Sequence, residues 1–118
     1  MGQTKYTWYK IAESLAELPF NSNGLLAADV NGKRITLANV KGAVMACAHK
    51  CPHAGGIMED GFIDAAGNIV CPLHRYKFSL QNGRNVTGEG YFLKTYPAEV
   101  REDGVYIGFA DRGIFGWL

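Results

Sequence analysis

The chain has 118 residues, 47% of them apolar, with 12 basic against 11 acidic side chains and a formal net charge of +1. That length suits one domain with a real core, and the near-balance of charge removes any electrostatic pull toward nucleic acid or an anionic membrane. No apolar run long enough to cross a bilayer is present, and MGQTKYTWYK lacks the apolar core of an export signal, so the expected compartment is the cytoplasm.

Fifteen glycines point to many tight turns and therefore to short strands. YTWYKIA (6–12) reads as a strand and ESLAELPF (13–20) as a single helical turn. LLAADV-NG-KRITLANV carries Asn31-Gly32 between two apolar runs, the strongest short-range hairpin signal. Lys41-Gly42 then separates ITLANV from a third strand, AVMACAH. Further turns are expected at Ala66-Gly67-Asn68, at Asn82-Gly83 and, between YPAEV and VYIGF, at Asp103-Gly104. Strands recur with no long helical period, so the fold class is all-β, a small antiparallel sandwich or barrel. The closing RGIFGWL is apolar, and Ile114, Phe115 and Trp117 are expected to pack back onto the barrel or to meet a partner.

The chain holds three cysteines and three histidines. Cys-x-His occurs twice in ACAHKCPHAGG, as Cys47-Ala48-His49 and Cys51-Pro52-His53, and Cys71-Pro72-Leu73-His74 follows 17 residues after His53. Both early pairs cannot serve one metal, because positions 47 and 53 of an extended chain lie about 20 Å apart, whereas ligand atoms must sit about 2.0–2.3 Å from the ion. Pro52 and Gly55-Gly56 suit a tight loop, which favours Cys51 and His53. Cys47 and His49 continue an apolar strand, where a lone cysteine is usually a small buried hydrophobe.

CPH, a 17-residue gap and CPLH resemble the signature of the Rieske [2Fe-2S] family, with CPHAGGIMEDG similar to its first loop and CPLHRYKFSLQNGR to its second. The resemblance implies a single Rieske domain over 1–118, with a cluster-binding subdomain of two loops at about 46–86 set into a base β-domain. It implies one 2Fe-2S cluster, with Cys51 and Cys71 on the inner iron and His53 and His74 on the outer one. Four protein ligands leave no position for substrate, so the expected role is that of an electron carrier rather than an enzyme. The partners implied are a flavin-type ferredoxin reductase and a terminal oxygenase or reductase. An alternative is the Rieske small subunit of a nitrite-reductase-like complex. Another class is a module binding zinc or a sensing Fe-S cluster, although zinc fingers pair Cys with Cys and His with His. A Cys51–Cys71 disulfide in metal-free protein explains neither histidine.

High-potential members of the family carry an extra cysteine in each loop and hydroxyl donors after the second histidine. Here Ile57 and Leu73 stand near the first positions, and Arg75, Tyr76 and Lys77 follow His74. With fewer hydrogen bonds to sulfur, the expected potential is low, roughly −150 mV. A proline-containing cover is common before the last hairpin. This chain has Gly88-Glu89-Gly90 there, with Tyr91 or Phe92 as possible substitutes and Pro97 opening the next strand. Lys50, Glu59, Asp60, Arg75 and Lys77 are candidates for steering partners. Rieske oxygenases add a domain with a 2-His-1-carboxylate iron site. Only His49 is left unassigned, so this chain is not expected to supply one.

Overall fold

The computed structural model describes residues 4–111. Ten strands run in chain order: β1 (Tyr6–Ala12), β2 (Leu25–Val30), β3 (Lys33–Val40), β4 (Ala43–Ala48), β5 (Phe62–Ile63), β6 (Asn68–Val70), β7 (Lys77–Ser79), β8 (Thr95–Tyr96), β9 (Ala98–Arg101) and β10 (Gly104–Ala110). They form three antiparallel sheets with the orders β1-β10-β9, β2-β3-β4-β8 and β5-β6-β7. This is the all-β architecture expected from the sequence; the helical turn expected within 13–20 is a 3-10 turn at Leu15–Glu17, and a second lies at Met58–Asp60.

The two hairpins β2-β3 and β3-β4 close on Asn31-Gly32 and Lys41-Gly42, all four residues in the left-handed region with φ of 49°, 80°, 54° and 90°. That backbone matches the twist of the flanking strands, and Gly32, Gly42 and Asn31 are residues that adopt it readily. Two-residue loops also fix the register, pairing Val30 with Lys33 and Val40 with Ala43.

The β2-β3-β4-β8 sheet is the middle layer. Ile35 and Leu37 face the β1-β10-β9 sheet, in a cluster with Val30, Ala46 and Ile107. On the other face Leu25, Ala38 and Cys47 pack with Met58, Ile69, Phe78 and Leu93. Ile35, Thr36, Leu37 and Ala38 are all fully buried in consequence, the mark of a strand covered on both sides.

Two details depart from the sequence expectations. The last hairpin pairs Gly104 with Arg101, so its turn lies at Glu102-Asp103, one residue earlier than expected. The strand ahead of Pro97 is only Thr95–Tyr96, and it pairs with β4 in the middle sheet. Proline has no N–H for a ladder, and Pro97 stands where the chain leaves that sheet to begin β9. Its carbonyl accepts from Gly108 N–H at 2.9 Å. Ile114, Phe115 and Trp117 lie outside the described residues.

Candidate metal centre

Between β4 and β8 the chain leaves the middle sheet, and this excursion contains both Cys-His loops and the β5-β6-β7 sheet. The first loop closes on itself: Cys51 N–H donates to Gly56 C=O at 2.7 Å, and Gly55 N–H to Cys51 C=O at 3.0 Å. Met58, fully buried, pins its far side, with its N–H donating to His49 C=O at 2.8 Å. The second loop caps the β6-β7 hairpin, where Cys71 N–H donates to Tyr76 C=O at 2.9 Å. Its tip bends through His74 and Arg75, both left-handed at φ 62° and 58°. Two successive non-glycine residues in that region cost on the order of 1–2 kcal/mol each. Such backbone persists only where the surroundings over-determine it.

The four candidate residues sort by depth. Cys51 and Cys71 are 3% and 0% exposed, whereas His53 is half-buried and His74 exposed. The two cysteines are free thiols, and both lie in one buried cluster. Burial pushes the Cys71 thiol up to about 11, opposed by a hydrogen bond from Leu73 N–H and reinforced by Cys51. The imidazoles of His53 and His74 lie with ring centroids 4.9 Å apart and their Nδ1 atoms 3.4 Å apart. A thiol pair thus lies inside and an imidazole pair outside. Among the described residues no three His, Cys, Asp or Glu side chains converge as a site for one ion. Thiols grouped with each other and imidazoles with each other match the ligand distribution of a two-iron group.

Gly56 keeps the space open. A Cβ at this position would lie 2.9 Å from Cys71 Sγ and 3.1 Å from Leu73 Cγ. Two buried thiols, two converging imidazole nitrogens and a side-chain-free wall fit a Rieske-type 2Fe-2S group.

Two tyrosine rings flank the imidazole pair. Tyr76 lies 4.3 Å from His53 and 6.1 Å from His74, and Tyr91 lies 5.1 Å from His53 and stacks on Tyr76 at 5.9 Å. Burial raises the Tyr76 phenol pKa, and the Glu89 charge adds to it. A polar loop organised by Asn85 supports Tyr91. Asn85 Oδ1 accepts from Glu89 N–H at 2.7 Å and from Tyr91 N–H at 3.4 Å, and its Nδ2 donates to Lys77 C=O at 3.0 Å. Thr87 donates its hydroxyl to the Glu89 carboxylate. That bond holds the Glu89 pKa below its ordinary value, with His53 acting in the same direction. Tyr91 is therefore the ring beside His53, whereas Phe92 is 63% exposed. Sequence reasoning missed Asn85, whose only local signal is the common turn preference of asparagine.

Cys47 and His49 stay apart from this group. Cys47 is fully buried in β4, and burial pushes its thiol up to about 12. His49 Nδ1 meets Thr36 Oγ1 at 3.0 Å. Of the steering candidates, two are engaged within the fold. Glu59 accepts from Ala27 N–H at 3.1 Å, and Lys77 pairs with Asp64 at 3.4 Å. Lys50, Asp60 and Arg75 are exposed.

A family description, the Rieske [2Fe-2S] domain, matches residues 7–97. The ferredoxin component of a naphthalene 1,2-dioxygenase system from Pseudomonas aeruginosa is 33% identical over 97 residues, covering 81% of this chain and 90% of that protein. Among solved structures, a chain from Mycobacterium tuberculosis assigned to the small subunit of an NADH-dependent nitrite reductase superimposes with a TM-score of 0.78 at 19% identity, covering 91% of this chain and 98% of the other. The ferredoxin of carbazole 1,9a-dioxygenase from Nocardioides aromaticivorans gives 0.72 at 22% identity, covering 86% and 96%.

Proposed function

Because the chain belongs to the Rieske [2Fe-2S] domain family, we propose that its one cluster is held by the sulfurs of Cys51 and Cys71 and by the Nδ1 atoms of His53 and His74. The protein is an electron carrier, the ferredoxin component of a dioxygenase-type system, passing electrons from a reductase to an oxygenase. The segment between β4 and β8 is the cluster-binding part of one Rieske domain, and a flavin-type reductase is the expected donor.

The observation that carries this reading is the arrangement of donors as an inner thiol pair and an outer imidazole pair. When bound, such a cluster supplies one-electron, outer-sphere redox chemistry. The protein supplies the rest. Cys51 and Cys71 lie where water is excluded, Gly56 leaves the Cys71 sulfur unobstructed, and Tyr76 and Tyr91 wall the His53 ring. His74, on its left-handed turn, presents an imidazole edge to solvent and so to a partner.

Purified holoprotein is expected to be red-brown and, after reduction, to give a Rieske-type EPR signal. It should also raise the turnover of a dioxygenase supplied with reductase. Colourless protein with one bound zinc contradicts the assignment of the site. A Rieske signal without reversible reoxidation by any oxygenase contradicts the carrier role alone.

A further inference from the structure

We propose that the end of the middle sheet nearest the first Cys-His loop is a docking face for a carboxylate-rich segment of a protein partner. The register pairs Ile35 with Ala48 and Cys47 with Thr95, and Ala48 N–H donates to Lys94 C=O at 2.8 Å. One step further along, the same register sets Lys33 and Arg34 of β3, His49 and Lys50 beyond β4, and Lys94 before β8 side by side. With Ala48 and Tyr96 they line a groove of about 570 Å³ that contains no acidic residue.

Neighbouring strands lie about 4.8 Å apart, and like charges facing one another across them are destabilising. Arg34 is relieved by Asp29 at 3.1 Å. Among the described residues Lys33, Lys50 and Lys94 form no ion pair, and the remaining sequence contains no Asp or Glu. All four Lys and Arg side chains are exposed. Lys94 lies over the Tyr96 ring at 5.8 Å, and the bond to Thr36 fixes the His49 ring at the groove floor. Among the described residues the Arg34–Asp29 pair is the only ionic compensation of these cations, and a row of carboxylates would balance the rest.

The groove suits side-chain carboxylates better than a phosphate. Its cations are spread over three strands rather than converging, and no glycine lines it to offer a nest of backbone amides. The expectation that the occupant is a protein rests on the electron-carrier reading. The groove shares no residue with the ring cluster of His53, His74, Tyr76 and Tyr91, yet it spans both points where the cluster-bearing segment leaves and rejoins the sheet. A partner seated there is steered electrostatically, so its association slows with salt.

The test uses cluster-loaded protein and a fluorophore-tagged hexaglutamate peptide, with binding read by anisotropy at low ionic strength. Wild type should bind with an affinity that falls with salt. Lys33→Glu/Lys94→Glu should weaken binding about tenfold or more, whereas Lys5→Glu/Lys41→Glu, with the same change in net charge, should stay within about twofold. If the groove variant is poorly folded, Lys33→Gln/Lys94→Gln provides the same comparison. Equal loss in both variants, or no binding by wild type, overturns the proposal. Pyrophosphate competing as tightly as the peptide identifies a small-anion site and overturns it as well. Visible absorption of the same samples reports on the cluster separately, since no proposed ligand lies in the groove.

Discussion

Cys47 and Cys51 stand four positions apart in different environments, and substitution separates them. Cys51→Ala should abolish the visible spectrum of the purified protein. Cys47→Ala should leave it intact and lower stability by about 1 kcal/mol, the scale of a small core truncation. Cys47 also gives a pH signature. Its folded-state pKa of about 12 lies above that of an exposed thiol. The stability due to the neutral buried thiol is therefore complete below about pH 9 and is lost as pH rises toward 12. Denaturant titrations should show wild type falling relative to Cys47→Ala across that window. No serine stands among Arg75, Tyr76 and Lys77 after His74, so fewer hydroxyls are available to sulfur and a redox titration should return roughly −150 mV; a value above zero would contradict this account.

Among the elements, the loop centred on Asn85 is the least apparent from sequence and the easiest to probe. One side chain holds the amides of Glu89 and Tyr91 and the carbonyl of Lys77. Asn85→Ala should speed hydrogen exchange at the Glu89 and Tyr91 amides and reduce stability by about 1–2 kcal/mol. The two early hairpins were legible because Gly32 and Gly42 admit left-handed backbone between apolar runs, with Asn31 favouring it as well. β8 was not, because two residues before a proline carry no periodicity, and only the pairing with β4 makes them a strand. The place of Tyr76 against His53 and Tyr91 depends on three loops meeting, which no local pattern encodes.

At the scale of the molecule, the middle sheet is shared between two cores, one against β1-β10-β9 and one against the cluster-bearing excursion. The second core includes Cys51 and Cys71 themselves, so its integrity should depend on the metal group while the first should not. Hydrogen exchange of iron-free protein should show β5, β6 and β7 losing protection while β1, β10 and the β2-β3 hairpin keep theirs. Uniform loss across all ten strands would mean that the two halves are one cooperative unit. The four ligand candidates were within reach of the sequence, because each Cys-His pair sits in one local loop and the two loops resemble the Rieske signature. The basic row could not, because Lys33, Lys50 and Lys94 are far apart in the chain and meet only through strand register.

The depth ordering of the site also bears on throughput. In the ligand assignment proposed above, both sulfurs are enclosed and the imidazole side faces solvent, which makes that side the short route for electrons. A donor and an acceptor that both use it must take turns, and each visit has to end before the next begins. A longer residence time would delay the whole relay, so selection for speed favours partners that leave quickly over partners that hold tightly.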